Sequence, residues 1–146
     1  MNGIKMSDCR FYVNEEERTV VCVIPKTRYM LENFTREHFK WNDFDFDFGI
    51  DYAYMKSLYL PASFMGKAVC APEDEWNEEL GRMIAFSRAK DKCYKSFFKR
   101  ANRLVQTLDR RLGDMITMFN DFGMKLEDKR EALQAKIEER IPKDAE

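Results

Sequence analysis

Residues 92–122 read KCYKSFFKRANRLVQTLDRRLGDMITMFNDF, a long stretch without proline. Apolar residues recur in it at Tyr94, Phe97, Phe98, Ala101, Leu104, Val105, Leu108, Leu112, Met115, Ile116 and Phe119. At about 100° per residue these positions fall within about 60° of one direction, which is the period of an amphipathic α-helix. Gly123 is a good residue to stop such a helix, because glycine tolerates the left-handed conformation of a C-terminal cap. Leu126, Leu133, Ile137 and Ile141 then mark a last helix, ended by Pro142. The two helices could fold back as an antiparallel hairpin or line a dimer seam, so a homodimer through the C-terminal helices is one expected assembly.

Upstream, the signal changes from helical to extended. Arg10-Phe11-Tyr12-Val13 and Thr19-Val20-Val21-Cys22-Val23-Ile24 are rich in β-branched and aromatic residues. The polar stretch Asn14-Glu15-Glu16-Glu17-Arg18 separates them, as in a β-hairpin. Pro25 ends the second strand, and Thr27 is placed to cap a short helix through about His38, supported by Glu32 and Arg36 four residues apart. Trp41 to Leu60 is aromatic and acidic with little helical period. A third strand is expected across Phe64–Cys70, a turn at Ala71-Pro72-Glu73-Asp74, and a helix capped by Asn77. Glu78 and Glu79 suit the positive end of that helix. The expected fold is α+β: a small antiparallel sheet of about three strands packed by helices, with a long C-terminal helical hairpin. Residues 1–90 would form the α+β core and 91–146 its helical extension, within one domain.

The bulk numbers agree with one folded unit. The chain has 146 residues, 45% apolar and 35% charged, enough to close a hydrophobic core without metals or disulfides. No apolar run approaches the roughly 18 residues of a membrane span, and MNGIKMSDCR lacks a signal-peptide core. The expected location is therefore the cytoplasm of a bacterial host, with no membrane partner. Cys9, Cys22, Cys70 and Cys93 are scattered and never form a CxxC pair, consistent with reduced, mostly buried thiols.

The net charge of -1 conceals two opposite halves. Residues 1–80 carry nine Lys+Arg against fifteen Asp+Glu, and residues 81–146 sixteen against eleven. Residues 82–111 alone hold ten Lys+Arg and two acids, Asp91 and Asp109. On a helical wheel Lys92, Lys95, Lys99, Arg103 and Arg110 share one side, opposite the apolar stripe. Such a basic ridge suits the phosphates of a nucleic acid, with a salt-sensitive attraction, although a solvated lysine-rich face has the same pattern. The converse feature is Asn42-Asp43-Phe44-Asp45-Phe46-Asp47-Phe48-Gly49-Ile50-Asp51. If extended, its phenylalanines share one face, and Asp43, Asp45 and Asp47 the other, an acidic row that could meet a basic protein groove. The same aspartates have the start of a calcium-loop spacing, but Phe48 stands at the turn glycine and Tyr54 at the closing glutamate.

The segment Gly66-Lys67-Ala68-Val69-Cys70-Ala71-Pro72-Glu73-Asp74-Glu75-Trp76, followed by Gly81-Arg82-Met83-Ile84-Ala85-Phe86-Ser87-Arg88-Ala89, carries a resemblance. It resembles a strand–turn–helix signature of small phage and prophage accessory proteins, G-x-A-x-C-x-P-x-D-x-aromatic and then G-x-x-aliphatic-A-x-x-R-A. Trp76 stands where phenylalanine is usual, and Asn77 where an aspartate usually caps. The resemblance implies a mobile-element origin and no settled chemistry. Physically the motif reads as scaffold. Ala68 and Cys70 offer a small-residue strand face, Trp76 pins the turn to the core, and Gly81 allows close approach.

Catalytic signatures are missing. His38 is the single histidine, and neither zinc spacing, a phosphate-binding glycine loop nor a nucleophile elbow occurs. A Cys70 nucleophile with His38 as base would be a chance pairing. No catalytic residue, cofactor or metal is therefore expected. The expected function is macromolecular binding by a phage-type accessory protein, foremost an inhibitor of a bacterial defence nuclease of the anti-CRISPR kind. Its partner would be a host defence protein or that protein's nucleic-acid complex. The alternatives are a regulator or replication accessory that binds nucleic acid directly through the basic ridge, and a structural coiled-coil adaptor.

Overall fold

The computed structural model describes residues 3–39 and 52–142. Three strands, β1 (Arg10–Asn14), β2 (Thr19–Pro25) and β3 (Ser63–Val69), form an antiparallel sheet in the order β1-β2-β3. Helix α1 (Met30–Phe39) and the short α2 (Tyr52–Ser57) lie between β2 and β3 in the chain, and α3 (Glu78–Arg140) follows β3. The α+β class and the three expected strands are present. The chain divides into two compact units, Met1–Val105 and Gln106–Glu146.

The β1–β2 hairpin closes without glycine. Asn14 Oδ1 accepts the Glu17 amide at 3.0 Å, and the Arg18 amide donates to the Glu15 carbonyl at 3.1 Å. Arg18 takes the left-handed φ of 53° that the turn requires. Along β2 burial alternates, so Val20, Cys22 and Ile24 face the core. The helix face laid on them is built from Ala85, Ala89, Cys93, Phe97 and Leu104, all buried. Contact is closest at Gly66 of β3. A Cβ there would collide with the Ala85 carbonyl and the Ala89 amide. One turn earlier in the helix, Gly81 leaves room for Val20, whose Cγ2 would lie 2.8 Å from an added Cβ.

Four expectations are corrected. There is no helical hairpin: α3 continues through Gly123 to Arg140. Nothing but glycine's propensity, about 1 kcal/mol, opposes continuation there, and Gly123 does not adopt the left-handed conformation of a cap. Thr27 does not cap α1. Its buried hydroxyl donates to the Pro61 carbonyl, and the helix starts at Met30. Trp76, expected to pin the turn to the core, is only half-buried, lining a concavity with Val20 and Ala68.

The fourth correction concerns the apolar stripe. In the first unit, the buried line is turned by roughly a quarter of a revolution from the stripe's centre. Phe98 and Val105 are 60% and 62% exposed, while the smaller Ala85, Ala89 and Cys93 are fully buried. In contrast, Asn77 caps as expected, its Oδ1 accepting the Leu80 amide at 3.0 Å. The Glu32–Arg36 pair also forms, at 2.9 Å.

Candidate functional site

Because the buried line of α3 is rotated, the basic residues do not all point straight outward. Lys92 and Arg103 flank the packed face. Lys92 Nζ donates to the Met65 carbonyl at 2.9 Å, and Arg103 donates to the Ser57 carbonyl at 3.3 Å. Arg88 reaches the Lys67 carbonyl at 2.6 Å. Arg88 and Lys92, one helical turn apart, thus cover two carbonyls of β3, which among the described residues is an edge strand of the sheet. Arg100 donates through Nε to the Tyr59 carbonyl at 2.9 Å and also bonds Ser96.

These bonds satisfy geometry but leave charge. A carbonyl oxygen accepts a hydrogen bond without neutralising the cation that gives it. Carboxylate pairs form in this stretch between Arg82 and Glu78 at 3.0 Å and between Lys95 and Asp91 at 2.8 Å. Both pairs are surface i,i+4 pairs, which typically contribute only a few tenths of a kcal/mol. Lys95 is 77% exposed in its side chain, and Lys99 is exposed beside it. The crowding is visible at Arg100, whose pKa is lowered first by burial and then by the neighbouring charge of Arg103. Lys92, Lys95, Lys99 and Arg103 therefore form a cationic face on the first unit. Arg110 is exposed and belongs to the second unit. The acidic row Asp43, Asp45 and Asp47 lies outside the described residues.

A residue that sequence reading missed is Arg18. Its guanidinium donates to Cys70 Sγ at 3.0 Å, to the Ala71 carbonyl at 3.0 Å and to the Asp74 carbonyl. One arginine from the hairpin thus staples the turn that precedes α3, and the Cys70 amide returns a bond to the Arg18 carbonyl at 2.9 Å. Beside it is an open concavity of about 660 Å³, lined among others by Val20, Trp76, Leu80 and Ile84. Arg18 lines it too: its Nη2 makes the bonds to the turn, while its buried Nε has no hydrogen-bond partner among the described residues.

Cys70 receives Arg18, and the His38 ring packs on Phe34 with centroids 4.4 Å apart. All four cysteines are free thiols. Burial pushes Cys22 up to about 12 and Cys93 up to about 11, so both stay protonated at neutral pH. Among the described residues no group of three or more His, Cys, Asp or Glu is placed to hold a metal, and no helix is long and apolar enough to cross a membrane. No family model, curated protein or solved structure matches this chain.

Proposed function

We propose that this chain is a binding protein of the phage accessory kind that blocks a bacterial defence nuclease, engaging the nuclease or its nucleic-acid complex through the cationic face of α3. One observation carries the reading. Arg88, Lys92, Arg100 and Arg103 are held by neutral carbonyls, with exposed Lys95 and Lys99 beside them. The cations are thereby fixed in place while their charge remains available to an anionic partner. The partner class rests on the strand–turn–helix resemblance of residues 66–89.

The reading is tested in hosts carrying an active restriction or CRISPR defence. Expression of the chain should restore plating of a targeted phage. The variant K95E/K99E/R103E should not, while keeping its helical circular dichroism. Plating that stays suppressed in every such host would overturn it.

The row of cations along one helix also favours a second reading, direct binding of nucleic acid. Affinity for a fluorescent oligonucleotide that falls steeply with salt, with no effect on plating, selects that reading instead.

A further inference from the structure

The second unit holds an apolar face that nothing in the described chain covers. From Leu108 onward, Leu108, Leu112, Met115, Phe119, Phe122 and Leu126 follow one another at alternating spacings of four and three residues. That is the a/d repeat of a coiled-coil seam, and Leu133 continues it seven residues after Leu126. Every residue from Asp109 to Pro142 is exposed. Phe119 is 68% and Phe122 59% accessible, and Met115, Ile116 and Met118 are at least half so.

We propose that this face is covered by a second copy of the same chain, paired antiparallel over residues 108–126. Three arguments lead to that occupant. The first is area. Leu112, Met115, Ile116, Met118, Phe119, Phe122 and Leu126 each expose on the order of 100 Å². Together they approach the roughly 800 Å² per partner of a standard stable interface, and far exceed the scattered apolar surface of a monomer.

The second is self-complementarity. In an antiparallel coiled coil each a position meets a d position of the partner. With the two-fold axis near Thr117, Leu108 meets Leu126, Leu112 meets Phe122, and Met115 meets Phe119, each pair occurring twice. All six seam residues are used. Ile116 and Met118 flank the axis, extending the apolar contact to both sides.

The third is the seam beyond Leu126. Its next d positions are Lys129 and Lys136. A parallel pair would set each lysine against its own copy, like charge on like charge in a closing seam. The antiparallel register removes both encounters. Orientation is thus specified by where the apolar run stops.

The experiment uses the full chain. Sedimentation equilibrium across a wide concentration range should give twice the chain mass, and M115E/F119E should give the chain mass. Protection of Cys22 and Cys93 from a thiol reagent confirms that the first unit of the variant remains folded. A wild-type chain that stays monomeric, or a variant that stays dimeric, overturns the proposal. Orientation is read by oxidising L112C and F122C chains, alone and mixed, and identifying cross-linked peptides by mass. Cross-linking between positions 112 and 122 in the mixture supports the antiparallel seam. Cross-linking of L112C to itself overturns it.

Discussion

Gly66 sets how closely α3 can lie on the sheet, because the atoms that a Cβ would meet are backbone atoms of Ala85 and Ala89, which cannot rotate away. Gly81 faces the side chain of Val20, whose Cγ2 would lie 2.8 Å from an added Cβ, so this buried, β-branched side chain would have to shift. Gly66→Ala should therefore cost about 3 kcal/mol, at the upper end of overpacking penalties. Gly81→Ala should cost less, since a side chain can shift where backbone cannot and a gain in helix propensity of about 1 kcal/mol offsets part of the contact. Urea unfolding of the two variants checks the order, and equal midpoints would refute it. The motif containing both glycines was visible in the sequence, but its inward face was read as Ala68 and Cys70. The structure moves that face one pair upstream, to Gly66 and Ala68, and places Cys70 past the end of β3 under Arg18. Arg18 itself could not have been found by pattern. Its role depends on a left-handed turn conformation and on partners more than fifty residues away.

Elements were easier to recognise than the faces they present. Strand composition and the Asn77 cap carry local chemistry, so both were legible, and Asn77→Ala should cost about 1 kcal/mol in thermal or urea unfolding. The α3 stripe was misplaced for a specific reason. Bulky residues define the apolar period from Tyr94 onward, whereas packing on a sheet selects small ones. Ala85, Ala89 and Cys93 carry little weight in a hydrophobic pattern, yet they let the backbone approach Gly66. Gly123, expected as a stop, is the second departure from the sequence expectation. It lies inside α3, outside the left-handed range, with open space where a Cβ would stand. Gly123→Ala should therefore raise helical stability by up to about 1 kcal/mol. Were it a left-handed cap, the same change would destabilise instead, so the sign of the shift in the melting curve distinguishes one helix from a hairpin.

At the level of the whole molecule, burial of protonated thiols ties stability to alkaline pH. Cys22 and Cys93 are raised to about 12 and 11 from an ordinary 9.0, so the folded protein keeps both protons where the unfolded chain loses them. Their contribution is fully present below pH 9.0 and is lost as pH rises through 11 to 12. Urea midpoints should fall over that interval, and less steeply in Cys93→Ala. An identical slope in that variant would remove Cys93 from the account. The cationic face of α3 is likewise a property of the assembled protein, since neighbouring strands and loops supply the carbonyls that hold it. Its charge was legible in the sequence, whereas its anchoring to Met65, Lys67, Ser57 and Tyr59 required the fold. The central claim is that this face engages the partner. The most direct test is phage plating in a nuclease-defended host expressing either the wild-type chain or K95E/K99E/R103E. The account predicts restored plating with the wild type and none with the folded triple variant. Equal restoration by both would contradict it.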